Sequence, residues 1–153
     1  MDLRTGQAES VEALVRWPQP DGSFLPPGVF IPVAEDSGLI IPLGELTLDL
    51  ALAQAARWRD EGRPQRVAVN LSAKQLRDPG LVATVRALLA RHAVSARLLE
   101  LEITESVFVG DTDENIQKLR ALKALGVYLS MDDFGTGYSS LSYLKRLPLD
   151  SLK

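Results

Sequence analysis

The spacing of apolar positions alternates along the chain between a period of about two residues, typical of strands, and a period of about 3.6, typical of helices. This alternation predicts strands and helices in regular succession. Runs with strand character cover residues 10–17, 66–72, 98–104 and 127–131, and residues 149–153 begin in the same way. Helical spacing covers residues 30–37, 42–61, 79–92, 113–125 and 139–146. Residues 18–27 are rich in turn formers, with Asp21-Gly22 marking a tight turn. No linker or low-complexity stretch interrupts the succession, so one α/β domain is predicted.

The short connections favour parallel strands joined by crossover helices, a pattern that both wound open sheets and (β/α)₈ barrels satisfy. A barrel typically takes ~250 residues, whereas about four or five strands are predicted here. Met1 is followed by a segment that resembles a hairpin turn without its first strand, and Lys153 falls inside a predicted strand. We therefore expect a TIM-barrel-like fold present only as a partial barrel, with the first strand and the C-terminal strands missing.

Composition narrows the classes of function. The 153 residues contain no cysteine and a single histidine, His92, which excludes disulfides, thiol catalysis and histidine-rich metal sites. The net charge is −3, and the sequence has no basic stripe that would indicate binding to DNA or RNA. No apolar run reaches the ~18 residues of a membrane span, and no secretion signal follows Met1. No membrane contact and a cytoplasmic location are the resulting expectations.

Acidic and amide side chains gather at the predicted strand ends. In chain order they are Glu12, Asn70, Glu102 with Glu105, and Asp132 with Asp133. One such residue alone is usually a helix cap or a turn residue. The carboxyl ends of parallel strands share one rim, however, so ligands from four successive strands could converge there. Oxygen ligands without histidine or cysteine suit Mg²⁺ or Mn²⁺.

A glycine-rich loop follows the last of these carboxylates. Residues 132–141 read Asp-Asp-Phe-Gly-Thr-Gly-Tyr-Ser-Ser-Leu. Glycines next to small hydroxyl residues let backbone N–H groups approach a ligand, and a helix predicted from Ser139 offers a place for a phosphate. The alternative is a simple glycine turn with a serine cap.

Glu12-Ala13-Leu14 followed by Val15-Arg16-Trp17 looks like the signature of the EAL domains, the bacterial cyclic di-GMP phosphodiesterases. Further motifs resemble the family's in the same order, at residues 70–72, 101–106, 132–141 and 148–153. Three letters alone would carry no weight, whereas five ordered motifs are highly specific.

The resemblance implies a site with two hard cations that polarise the scissile phosphate and activate water. The positions that match the family's first metal site are Glu12, Asn70, Glu102 and Asp132. Asp133 matches a ligand of the second metal. The implied reaction opens cyclic di-GMP to linear pGpG.

Three more positions carry implied roles. Glu105 matches the glutamate that holds the glycine-rich loop, Arg16 matches a contact to the substrate phosphate, and Lys153 matches the lysine beside the catalytic water. Upstream sensory or GGDEF-type domains commonly accompany this family.

Departures from the family pattern give further expectations. The first strand with its Gln-Pro segment is not in the sequence, and neither are the later aspartate ligand and the glutamate thought to act as general base. We expect the 153 residues alone to be inactive or nearly so, and open strand edges to favour a homodimer or a domain-swapped oligomer. Three alternatives stay open: a non-catalytic cyclic di-GMP receptor, a regulatory module that binds a partner through its open edge, and an unrelated metal-dependent barrel enzyme.

Overall fold

The structure is a computed structural model that describes residues 10–104, 112–132 and 146–153. Its strands are β1 (Ser10–Ala13), β2 (Trp17–Pro18), β3 (Phe24–Leu25), β4 (Arg66–Leu71), β5 (Leu99–Thr104), β6 (Tyr128–Asp132) and β7 (Ser151–Leu152). Its α-helices are α1 (Pro27–Ser37), α2 (Ile40–Asp60), α3 (Ala73–Arg77), α4 (Leu81–Arg91) and α5 (Thr112–Leu125). A short 3₁₀ turn, Ala96–Leu98, precedes β5.

Strands β1, β4, β5, β6 and β7 form one parallel sheet of the described residues, in that order. Crossovers that contain helices lead from β1 to β4 and onward to β5 and β6, as parallel pairing requires. Strands β2 and β3 form a separate antiparallel hairpin. The prediction of an α/β partial barrel with four or five strands is confirmed.

The two faces of this sheet differ in chemistry because successive side chains point to opposite sides. One face packs against the helices, and its buried side chains are Val67, Val69, Leu71, Leu99, Leu101, Ile103, Leu129 and Met131. The opposite face, here called the polar face, carries Arg66, Asn70, Glu100, Glu102 and Ser130. The helices are therefore held on one side while charged groups gather on the other.

Helix α2 shows why the helices cover the apolar face. Its buried residues Leu48, Ala51, Leu52 and Ala55 recur at spacings of three and four, which places them on one side of the helix. Gly62 follows the helix with φ 76°, a conformation that favours glycine and turns the chain toward β4.

Several predicted elements differ from the structure in their bounds, and the helix predicted over residues 30–37 begins at Pro27. The first strand ends at Ala13 instead of residue 17, because Trp17 and Pro18 pair with Phe24 and Leu25 in the hairpin. The predicted helix 79–92 begins at Leu81, and an additional helix, α3, precedes it. A capping box between Ser72 and Gln75 stabilises the start of α3. Residues 139–145 of the last predicted helix lie outside the described residues.

Candidate functional site

Strand register brings the predicted side chains to one end of the polar face. Glu12 on β1 lies opposite Ala68 on β4, and Asn70, two residues further along β4, lies opposite Glu102 on β5. Asp132 lies at the end of β6 opposite Thr104. Side chains separated in sequence by up to 120 positions, from Glu12 to Asp132, thus share one rim, because parallel strands end together.

A hydrogen bond joins the first two of these side chains. Asn70 Nδ2 donates to Glu12 Oε1 at 2.7 Å, and both residues are exposed at the rim. Because the amide nitrogen faces Glu12, the amide oxygen is the atom that can ligate a cation. The bond also fixes the orientation of the Glu12 carboxylate relative to β4.

Glu102 provides a second carboxylate in a more enclosed position, with 4% of the residue exposed. Burial raises the pKa of the Glu102 carboxyl, and the negative charges of Glu12 and Glu100 raise it further. The Lys153 ammonium opposes that rise. A carboxylate that is buried beside two others is stabilised by any cation placed among them.

Lys153 supplies such a cation from the end of β7. Its Nζ lies 2.8 Å from Glu100 Oε1 and also donates a hydrogen bond to Glu102 Oε1. The Lys153 backbone N–H donates to the carbonyl of Met131 at 2.8 Å, which continues the parallel pairing beyond β7. Burial lowers the pKa of Lys153, but hydrogen bonds to Glu100 and Glu102 outweigh burial and raise it above its ordinary value.

Glu100 was not among the predicted site residues. It is 2% exposed, accepts a hydrogen bond of 2.8 Å from the Ser130 hydroxyl, and lies 3.8 Å from the Arg66 guanidinium. Burial alone would raise the pKa of Glu100, yet bonds from Lys153 and Ser130 bring it below its ordinary value. Alternation along Leu99–Thr104, which puts Glu100 on the face of Glu102, was the sequence signal for it.

Of the other predicted residues, the structure describes Arg16 and Asp132. Arg16 is exposed in the loop after β1 and donates to its neighbour's carbonyl, Val15 O, at 2.9 Å. Asp132 is half-buried at the rim. Glu105 and Asp133 lie outside the described residues.

The described residues do not assemble an acidic metal cluster by themselves. Within residues 10–104, 112–132 and 146–153, no group of three or more His, Asp or Glu side chains is placed to hold a metal ion. Among these residues, the rim brings together the carboxylates of Glu12, Glu102 and Asp132, the Asn70 amide and the Lys153 ammonium. The ammonium offsets part of the negative charge, and oxygen ligands from β1, β4, β5 and β6 lie at one edge of the sheet.

A large apolar groove lies beside the rim and shares Glu12 with this polar group. It has a volume of 1090 Å³ and runs between β1, the hairpin, α1 and α2. Glu12 and Arg16 lie at its border, whereas the described residues Asn70, Glu102 and Lys153 do not line it. The candidate chemistry therefore belongs to the rim of the sheet.

Comparison with known proteins places this chain in one family. The model of the EAL domain family matches residues 1–153, and the chain belongs to that family. The chain is similar to the bifunctional diguanylate cyclase/cyclic di-GMP phosphodiesterase MucR of Pseudomonas aeruginosa, with 49% identity over 149 residues, 97% of this chain and 22% of that protein. Cyclic di-GMP phosphodiesterase PdeR of Escherichia coli is 41% identical over 148 residues, 97% of this chain and 22% of its own length. The chain thus spans about a fifth of these curated relatives.

Solved structures agree with the family assignment. PaMucR phosphodiesterase, solved as a cyclic di-GMP complex, superposes with a TM-score of 0.91 and 49% identity over 96% of this chain and 60% of that chain. The predicted family and its barrel-like fold are confirmed. No helix of the described residues is long and apolar enough to cross a membrane.

Proposed function

We propose that this chain is part of a cyclic di-GMP phosphodiesterase domain, in which it holds a divalent cation, Mg²⁺ or Mn²⁺, beside the phosphodiester that is hydrolysed. The product is linear pGpG. The observation that carries this proposal is the convergence of Glu12, Asn70 and Glu102 at the carboxyl ends of three neighbouring parallel strands. Similarity to named cyclic di-GMP phosphodiesterases supports the choice of substrate.

The residues at the rim fit a hard cation. Carboxylates and an amide oxygen are ligands that Mg²⁺ and Mn²⁺ favour. The pKa of Glu102 is raised first by burial and then by the negative charges of Glu12 and Glu100, which a bound cation would offset. The side chains that would hold the first cation are Glu12, Asn70, Glu102 and Asp132, with Asp133 for a second. Bound cations supply Lewis acidity, which polarises the phosphodiester and lowers the pKa of coordinated water.

The chain's own groups then position the substrate and the attacking water. The Lys153 ammonium donates hydrogen bonds, and from its place beside Glu102 it can orient a water molecule toward the phosphorus. Arg16, exposed near Glu12 at the border of the groove, offers a guanidinium to a non-bridging phosphate oxygen. Glu105 is proposed to hold the glycine-rich loop.

A second candidate function is a non-catalytic cyclic di-GMP receptor. One observation favours it: the Lys153 ammonium bonds Glu102, so the most enclosed carboxylate of the rim has a cationic partner without a divalent cation. A receptor of this kind would bind the nucleotide without added metal and would release it unchanged.

One experiment separates the two functions. The 153-residue chain is titrated with cyclic di-GMP in the presence of Mn²⁺ or EDTA, and pGpG is then measured by chromatography. Glu12→Ala tests the rim, and Glu45→Ala, an exposed carboxylate on α2, is the matched control. Nucleotide binding that requires Mn²⁺ and Glu12 but not Glu45, with pGpG formed at a low rate, is the expected result.

Other outcomes contradict the proposal. Binding that survives EDTA and Glu12→Ala, without pGpG, identifies a receptor, and no binding under any condition contradicts both functions. Low turnover by the 153 residues alone stays a prediction that the same chromatogram checks. Self-association, GGDEF-type neighbouring domains and a cytoplasmic location also stay predictions.

A further inference from the structure

The Lys153 ammonium lies between two carboxylates of one strand. Glu100 and Glu102 are two residues apart on β5 and therefore share the polar face. Lys153 Nζ is 2.8 Å from Glu100 Oε1 and bonds Glu102 Oε1 as well. One ammonium group thus links a carboxylate at the rim to a second one deeper in the sheet.

The two carboxylates occupy different levels of the sheet. Glu102 lies opposite Asn70, at the level of the candidate cation ligands, whereas Glu100 lies opposite Ala68 and Tyr128. Two residues of a parallel strand correspond to about 6.6 Å, so Glu100 is one step removed from the rim. This position makes Glu100 a poor ligand for a cation held by Asn70 and Glu102.

The surroundings of Glu100 fix its carboxylate in place. The residue is 2% exposed, the Ser130 hydroxyl donates to Oε1 at 2.8 Å, and the Arg66 guanidinium lies 3.8 Å from Oε2. Arg66 in turn stacks over the Tyr128 ring at 4.0 Å. A buried carboxylate with these fixed partners is a rigid acceptor for the more exposed Lys153 side chain.

A divalent cation bound at Glu102 would change which carboxylates the Lys153 ammonium bonds. A cation held by the carboxylate oxygens of Glu102 would repel the ammonium, so Lys153 would lose its bond to Glu102 and keep its bond to Glu100. Without a carboxylate at position 100, Glu102 would be the one carboxylate partner left to Lys153 among the described residues. The ammonium and the cation would then compete for the same oxygens.

From this geometry, and resting on the proposed function, we propose that Glu100 is a positioning residue that holds the Lys153 ammonium at the site while Glu102 binds the divalent cation. Glu100 touches neither cation nor substrate and acts through Lys153. It keeps the lysine within reach of the reacting phosphate and prevents it from occupying the oxygens that the cation requires.

Mn²⁺ affinity, measured by electron paramagnetic resonance on the 153-residue chain, tests this role in a double-mutant cycle. The four proteins are wild type, Glu100→Gln, Lys153→Met and the double variant. We expect Glu100→Gln to weaken Mn²⁺ binding at least about fivefold more with Lys153 present than in the K153M background, which lies within the coupling measured for contacting residues. An equal loss in both backgrounds would show that Glu100 acts by its charge or by general structure, and no loss in either would also overturn the proposal.

Two further variants serve as controls for this double-mutant cycle. Ser130→Ala removes one hydrogen bond from the same Glu100 oxygen but keeps the carboxylate, so it should not show the Lys153-dependent loss. If circular dichroism shows that Glu100→Gln is unfolded, Glu100→Asp replaces it. The shorter side chain keeps the charge but withdraws from Nζ, and a smaller loss that again depends on Lys153 is expected.

Failure of this inference differs from failure of the proposed function. If Glu12→Ala leaves Mn²⁺ affinity unchanged, the rim is not a cation site, and both proposals fail. If Mn²⁺ binding requires Glu12 but the cycle shows no coupling between Glu100 and Lys153, only the positioning role of Glu100 is wrong.

Discussion

Asn70 and Glu12, 58 positions apart in the sequence, are joined by a hydrogen bond of 2.7 Å from the Asn70 amide to Glu12 Oε1. The bond connects β1 to β4 at their carboxyl ends, where a cation would lie between oxygens of both strands. Both side chains are exposed, so the bond contributes little to stability and its importance lies in orienting ligands.

Asn70→Ala should therefore separate cation binding from folding. The variant loses one oxygen ligand and the group that orients Glu12, so Mn²⁺ affinity should fall about tenfold or more, a loss typical of groups that orient metal ligands. The free energy of unfolding should change by less than about 1 kcal/mol. Paramagnetic resonance and urea unfolding measure the two quantities.

The matched control for that variant is Gln117→Ala, which removes an exposed amide from α5. It should alter neither quantity. Equal Mn²⁺ affinity in wild type and Asn70→Ala would mean that Asn70 is not a ligand and does not orient one.

Gly44→Ala is expected to destabilise the packing of α2 against α3. A Cβ at Gly44 would overlap Nε2 of Gln75 and lie 2.8 Å from its Cδ. The Gln75 side chain is held in the capping box, where its Oε1 accepts from the Ser72 N–H at 2.9 Å. The steric overlap should cost about 1–3 kcal/mol of stability. This cost should outweigh the ~1 kcal/mol by which alanine stabilises a helix relative to glycine.

Urea denaturation followed by circular dichroism measures this effect. Gly28→Ala in α1 is the control, since a Cβ there meets nothing within 4 Å. It should leave stability equal or slightly raised. A Gly44→Ala protein as stable as Gly28→Ala would show that Gln75 can move away without loss.

Asp150 anchors the approach to β7 and should matter for stability. Its Oδ2 accepts from the buried Leu129 N–H at 2.8 Å, and both oxygens accept from Lys123 Nζ at 2.8 and 2.7 Å. Asp150→Ala removes these acceptors and should lower the free energy of unfolding by about 1–3 kcal/mol. Asp113→Ala, which breaks the exposed pair with Arg146, should cost about 0–1 kcal/mol by the same urea assay. Equal effects of the two variants would contradict an anchoring role for Asp150.

The hydrogen bond between Asp49 and His92 predicts that the free energy of unfolding depends on pH. Asp49 Oδ1 lies 2.8 Å from His92 Nε2, and that hydrogen bond is the main cause of an Asp49 pKa below its ordinary value. A carboxyl whose pKa is lower in the folded state stabilises the fold fully above its unfolded-state pKa, and this contribution disappears as the pH falls through the folded-state pKa. The stability difference between wild type and Asp49→Asn should thus be larger at about pH 5 than at about pH 3.

His92→Gln serves as the partner variant for this measurement. It should remove most of the same pH dependence, because the His92 bond is the first cause of the shift. An unchanged stability difference from pH 5 to pH 3, or an unaffected His92→Gln protein, would rule out this pair as the origin.

The sheet and the rim could be predicted from the sequence because both follow from the pattern of side chains along each strand. Alternation of period two along Leu99–Thr104 separates Leu101 from Glu102, and parallel strands carry their terminal residues to one edge. Glu12, Asn70 and Glu102 could therefore be assigned to the same site before the structure was known.

Other features depend on contacts that no local pattern contains. Strands β2 and β3 have two residues each, too few for a periodic signal, and they exist by pairing with each other. The link from Lys153 to Glu100 spans 53 positions and depends on the register between β5, β6 and β7. The family resemblance implied that Lys153 lies beside the catalytic water, but it could not show which carboxylates Lys153 bonds.

Anomalous diffraction from crystals grown with Mn²⁺ tests the central claim most directly. The account predicts a peak about 2.0–2.6 Å from oxygens of Glu12, Asn70 and Glu102, with the Lys153 ammonium moved off Glu102 and still bonded to Glu100. A Mn²⁺ peak elsewhere, or no peak with Lys153 still on Glu102, would contradict it.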